Sequence, residues 1–264
     1  MTPGSRDHAV AQAVAAECLE GWRPSDEHVS ALTALAHDEV SFDDYLAKFR
    51  DRYPAQPRPR RRRPSLRPTP YLVRGTTLLR NNFGAQSAEM LADLEFVATA
   101  GRMVSWLCGA CELDGLDGLD ARAIHRHLFG DVYSWAGQYR TTELRRGQQG
   151  FAWVSTIASQ MTRVHDTARS VVDAGASYDN PRLAWELARL YTDYNQVHPF
   201  RDGNGRAGAM LLHGVATRCG RTLDLTVTTR AEWYSAAADS MSLRGRDGRT
   251  SHRPFLPILG RAVT

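Results

Sequence analysis

Long apolar runs are missing from this chain. Nothing in its 264 residues approaches the ~20 apolar residues that a membrane helix needs. The opening MTPGSRDHAV sets no basic start ahead of an apolar stretch, so it does not read as a signal peptide. The expectation is a soluble, cytoplasmic protein, with delivery into another cell as an effector kept open. Cysteine is scarce: Cys18, Cys108, Cys111 and Cys219. Cys108 and Cys111 form a CxxC, but the thioredoxin-like strand–helix context of a redox motif is absent, and so is the second ligand pair of a zinc site. MVSWLCGACELDG reads instead as an apolar helix end turning into a loop, with the thiols as buried small hydrophobes. Neither sign of charge dominates. The net charge of +4 helps to attract anionic ligands and selects none of them.

What is present is helical pattern on either side of one break. The length suits one or two domains, and a hydrophobic content of 42% is enough for a packed core. The break is PAQPRPRRRRPSLRPTP, residues 54–70. Proline lacks the amide donor and like charges repel, so this stretch should be an extended, solvated linker. Arg60 to Arg63 could neutralise phosphates, but no aromatics are interleaved to stack bases. A charged tether is favoured over a nucleic-acid grip. Ahead of it, residues 1–53 read as three short helices. HAVAQAVAAECLE ends at Gly21, Ser25 caps DEHVSALTALAH, and Ser41 with Asp44 resembles a capping box. So small a unit has a thin core and should lean on something larger.

After the break, residues 71–264 are mainly helical. SAEMLADLEFVATAGRMVSWL and STIASQMTRVHDTARSVVDAG carry helical periods. In LDGLDGLDARAIHRHLF, Asp114, Asp117 and Asp120 do not have the spacing of a calcium loop, and Asp120 reads as an N-cap. Asn180-Pro181 reads as a cap followed by proline at the first helical position. Residues 139–154, YRTTELRRGQQGFAWV, look like a β-hairpin.

The densest chemistry lies in VHPFRDGNGRAGAM, residues 197–210. His198 leaves a helix ahead of Pro199, and a new helix follows Arg206. The loop between them feeds a helix N-terminus, whose unpaired amides and dipole attract anions. Gly203 and Gly205 let backbone approach a phosphate. Asn204 could donate an amide to phosphate oxygen, and Arg206 a forked cation to a second phosphate. Asp202 beside an anion site suggests a bridging Mg²⁺. His198 can take a proton at neutral pH. These parts describe attack of a hydroxyl on a phosphate ester, with His198 as general base.

Residues 198–206 resemble the Fic family, whose signature is HPFx[D/E]GNGRxxR. His198, Pro199, Phe200, Asp202, Gly203, Asn204, Gly205 and Arg206 match it without a gap. IHRHLFGDVYSWAGQYRT and GQQGFAWVSTI are similar to the segments around the family's hairpin. The resemblance implies a helical bundle with a small hairpin flap. It implies transfer of AMP from ATP to a Ser, Thr or Tyr hydroxyl of a protein, with Phe200 as a core anchor and Asp202 as the Mg²⁺ ligand. The flap residues Gly150, Phe151 and Ala152 would bind the target segment by strand addition. Ala16 to Gly21 is similar to the family's inhibitory [S/T]xxxE[G/N], with Ala16 in place of the hydroxyl residue and Glu20 as the inhibitory acid. Residues 1–53 would then be an antitoxin-like partner fused to its own toxin.

The signature's second arginine is Ala209 here. In the family that arginine orients the nucleotide's terminal phosphate and pairs with the inhibitory glutamate. Its absence leaves three readings open: a nucleotidyltransferase with a decayed lock, a kinase-like relative moving the γ-phosphoryl group, or a binding module that transfers nothing.

Overall fold

A computed structural model describes residues 3–53, 70–109, 119–147, 149–241 and 249–264. Local signals set most helix starts. α2 (Asp26–Ala36), α3 (Phe42–Arg50), α4 (Ala88–Leu107) and α5 (Ala121–Phe129) follow Ser25, Ser41, Ser87 and Asp120 as N-caps. Ser41 accepts the Asp44 amide at 3.1 Å, and Asp120 accepts that of Arg122 at 2.8 Å. Such caps are each worth ~0.5–2 kcal/mol. One expectation is corrected. α7 (Asn180–Val197) is capped by Asp179, whose carboxylate accepts the Arg182 amide at 2.8 Å. Asn180 is already helical, and its side chain accepts a bond from Arg221.

α7 and α8 (Asn204–Arg218) form the central pair. Leu183, Leu187, Leu190 and Tyr194 of α7 and the whole Ala207–Leu212 run of α8 are buried. α5 and α6 (Ile157–Gly175) pack on this pair, and α10 (Leu256–Ala262) closes over α7. α9 (Arg230–Asp239) starts with a reciprocal capping box between Thr229 and Glu232. Among the described residues the fold is mainly α.

α1 (Pro3–Leu19), α2 and α3 lie against α4. Trp22 stacks on Phe96 and His28 on Phe49. The Tyr45 hydroxyl donates to the Val97 carbonyl at 3.0 Å. Gly101 makes the close approach possible, since a Cβ there would lie 2.7 Å from the Tyr45 ring. On its other side α1 is keyed by Gln12, which donates to Asp224 and accepts from the Leu225 amide.

The hairpin is shorter than expected. β1 (Arg145–Arg146) and β2 (Gln149–Gly150) pair antiparallel over two residues each. One further cross-strand bond runs from Phe151 N–H to the Leu144 carbonyl at 3.3 Å, and beyond it the backbone bonds elsewhere: Arg140 N–H to the Pro199 carbonyl, and Ala152 N–H to that of Gln196. The cysteines also depart from expectation. Cys219 is buried, but Cys18 and Cys108 are only half-buried, and all three are free. Cys111, Asp114, Asp117 and the run 54–69 lie outside the described residues. No helix among the described residues is long and apolar enough to cross a membrane.

Candidate active site

α7 stops at His198 because the chain there turns left-handed, with φ 49° and ψ 62°, and Pro199 cannot continue the helix. A left-handed non-glycine residue persists only where its surroundings hold it. Here the holder is Arg140, which is fully buried. Its Nε donates to the His198 carbonyl at 2.8 Å, and its Nη2 reaches the carbonyls of Val197 and Ala152. One guanidinium thus ties the helix exit to the hairpin stem.

The loop that follows is braced from beneath. Phe200 is fully buried, with His125 stacked on it at 3.9 Å between ring centroids. His125 Nδ1 accepts the Gly137 amide at 2.9 Å, so its Nε2 carries the proton and donates to the Asp202 carbonyl at 3.0 Å. Burial pushes the pKa of His125 down to about 3, which keeps it neutral. Gly203 turns left-handed at φ 75°, where any Cβ would strike the Phe129 ring.

Two of the expected phosphate-facing side chains are engaged elsewhere. Asn204 does not offer its side-chain amide outward. Its Oδ1 accepts the Phe200 amide at 2.8 Å, and its Nδ2 donates to the Phe200 carbonyl at 2.9 Å. Nor does Arg206 line the cavity. It is buried, donates to Glu95 and Thr99, and lies 3.6 Å from Glu17. Tyr133 donates to the other oxygen of Glu95. Burial, outweighing Arg206, pushes Glu17 up to about 8. Thr99 Oγ1 donates to Glu17 Oε1 at 2.5 Å and lies 2.8 Å from the Glu95 carbonyl oxygen.

The cavity lies on the opposite side of the loop. His198, Asp202, Gly203, Asn204, Gly205 and Phe151 line it, together with Glu20, Arg146, Tyr191 and Tyr234. Gly150 and Ala152 do not, although they flank Phe151 in the hairpin arm. The Glu20 carboxylate sits on the first turn of α8, since a Cβ on Gly205 would fall 1.9 Å from Glu20 Oε1. Tyr234 donates to Glu20 Oε2 at 3.1 Å. An acid therefore stands where amides and helix dipole favour an anion. Phe151 stacks on the His198 imidazole, with ring centroids 3.8 Å apart and planes 11° apart. Burial and the charges of Arg146 and Arg140 push the His198 pKa down to about 3. Gly203 N–H donates to Asp202 Oδ1 at 2.7 Å. Ala209 and Ala16 are both buried and apolar.

Residues 116–216 match the family model described as Fic/DOC family. A relative from Sinorhizobium fredii, named a probable protein adenylyltransferase, is 30% identical over 156 residues, which span 59% of this chain and 79% of that protein. The chain belongs to the Fic/DOC family. Solved Fic structures share its fold. The BepC protein of Bartonella tribocorum, crystallised with AMPPNP, is 20% identical, covers 74% of this chain over 96% of its own, and has a TM-score of 0.59. A Fic-domain signalling protein from Bacteroides thetaiotaomicron is 15% identical, with a TM-score of 0.57 over 99% of this chain and 87% of its own. The Fic signature held the cavity's rim. His125, Arg140, Glu17, Glu95 and Tyr234, which position that rim, were not legible as site residues. No spacing links residues as far apart in the chain as Arg206 and Glu95.

Proposed function

We propose that this Fic protein is a protein adenylyltransferase that moves AMP from ATP to a Ser, Thr or Tyr hydroxyl of a target protein, and that α1 holds it inhibited. The observation carrying this reading is the single cavity that joins His198, Asp202 and the amino end of α8, with the Glu20 carboxylate on that helix end. Membership of the family and the relatives' names support it.

In this reading His198 accepts the proton of the target hydroxyl as its oxygen bonds to the α-phosphorus. The bond from that phosphorus to the bridging oxygen breaks, and pyrophosphate leaves. The imidazole is neutral, as a base must be, but a pKa near 3 makes it a weak one. A bound triphosphate would bring negative charge beside it and raise that value toward the working pH. Amides of α8's first turn would hold the phosphates.

Asp202 fits a Mg²⁺ ligand. Its Oδ1 is oriented by the Gly203 amide, and Mg²⁺ is commonly held by one or two carboxylates together with substrate phosphates. Among the described residues no cluster of three or more metal-ligating side chains exists, as suits an ion that arrives with its nucleotide. When bound, the ion would neutralise charge developing on the departing pyrophosphate.

The target segment would add to the edge of the hairpin through main-chain bonds at Gly150, Phe151 and Ala152. Trp153, 70% exposed just beyond, offers that segment an apolar contact. Phe151 must leave the imidazole for a hydroxyl to reach it. Glu20 inhibits by occupying the phosphate site, held by Tyr234 rather than by an arginine at position 209. Residues 1–53 thus act as the inhibitory half of a fused toxin–antitoxin pair.

Parallel incubation with α-labelled and γ-labelled ATP tests the reaction. Label should reach protein only from the α position, and none should appear with His198→Ala. Label from the γ position would mark a phosphotransferase. No label from either, even with Glu20→Gly, would leave the altered motif at Ala209 as a binding module.

A further inference from the structure

The cavity has an anion site with an incomplete set of cations. Ala209 supplies none, and Arg206 is sealed against Glu95 and Glu17 on the far side of the loop. A triphosphate whose α-phosphate sits near His198 and α8 would extend its outer phosphates with no motif arginine to meet them. Other guanidiniums lining the cavity are Arg145, Arg146 and Arg201. Arg201 turns toward the Tyr71 ring, with its Cζ 6.0 Å from the ring centre.

Arg146 stands differently. Its Cζ lies 5.8 Å from the ring centre of Phe151, which covers His198, and 5.4 Å from that of Tyr234, which holds Glu20. It therefore spans the space between the proton acceptor and the anion site. Its charge is felt by His198, Tyr191 and Tyr234 on the cavity's walls. It forms no ion pair with a carboxylate among the described residues, and it is exposed.

We propose that Arg146, reaching in from the hairpin, holds the outer phosphates of the donor nucleotide in place of the arginine missing at position 209. This rests on the adenylyl-transfer reading of the cavity. A guanidinium suits the role because its fork matches paired phosphate oxygens. Its placement has a consequence for order of binding. The strand that would register the target also grips the leaving group, so target and donor each favour the other's site.

The test uses the full chain with Glu20→Gly, so that the phosphate site is open, and measures dissociation constants for ATP and AMP by calorimetry. Adding Arg146→Ala should weaken ATP about 10-fold or more, the scale of one charged hydrogen bond, and leave AMP nearly unchanged. Arg146→Lys should keep part of the ATP affinity, because charge remains while the fork is lost. Adding Ala209→Arg to Arg146→Ala should restore ATP binding if it folds; the lysine variant carries the test if it does not. Equal ATP affinity with and without Arg146, or parallel losses for ATP and AMP, would overturn the inference while α-label transfer by the parent left the reaction standing. A parent that bound no ATP at all would overturn both.

Discussion

Glu17 and Glu20 stand one helical turn apart at the end of α1, and the chain treats them oppositely. Glu17 is sealed from solvent with Arg206, Thr99 and Glu95 around it. Glu20 reaches over the opposite side of the same loop and lies on Gly205, with Tyr234 as its hydrogen-bond partner. Glu20 lies just past the last residue of α1, its amide bonded to the Glu17 carbonyl at 3.0 Å. One acid fixes where the helix sits, and the other uses that position. The resemblance implies an arginine at position 209 for this contact. The structure shows that an acid can be delivered to the helix end without it.

The widest gap between the two sides should appear on removing Glu95, the close partner of Arg206. Glu95→Ala leaves a buried guanidinium short of a counter-charge and should cost about 3–5 kcal/mol in chemical denaturation. A loss below about 1 kcal/mol would mean that Arg206 does not depend on that pair. Glu20→Gly should do the reverse: stability within about 0.5 kcal/mol of the parent, but label incorporation from α-labelled ATP up about tenfold or more, a 1.4 kcal/mol shift in occupancy of the site. An unchanged rate would show that the carboxylate is not what blocks it.

The last test is a slope in pH. Folding depresses His125 and His198 to about 3 and His213 to about 4, from an ordinary 6.5. The unfolded chain binds more protons there, so their contribution is complete above 6.5 and is lost as pH falls below it. Glu17 runs the other way, from 4.5 up to about 8. Folded Glu17 keeps a proton that the unfolded chain releases, so stability drains as pH rises from 4.5 to 8. Urea midpoints across this range should peak near pH 6.5. Glu17→Gln should match the parent near pH 5 and flatten the decline above the peak. A parallel decline in both proteins would place the titrating group elsewhere.

Much of this architecture could be read from local signals. Ser25, Ser41 and Asp120 cap helices because each acts within three residues of itself, and the end of α7 at His198 follows from the proline behind it. The hairpin is shorter than its sequence pattern because Arg140 and Ala152 carry strand-like neighbours but bond to the helix exit instead. The motif alone points Asn204 and Arg206 outward, since it displays polar groups without saying which of them the fold consumes. Arg140 and His125 look like ordinary polar residues until carbonyls from distant segments arrive beside them.

The seam between Tyr45 and Gly101 bears on how the proposed inhibition would be governed. An inhibitor made as a separate molecule can be diluted, outnumbered or degraded, and its hold depends on how much of it the cell contains. Under the proposed reading the acid on Gly205 rides on helices packed against α4 at one copy per copy, so its local concentration would not vary with expression. Switching on would have to come from something that lifts a side chain out of a crevice, such as a rising nucleotide level or a target pressing on the hairpin, and not from arithmetic between two gene products.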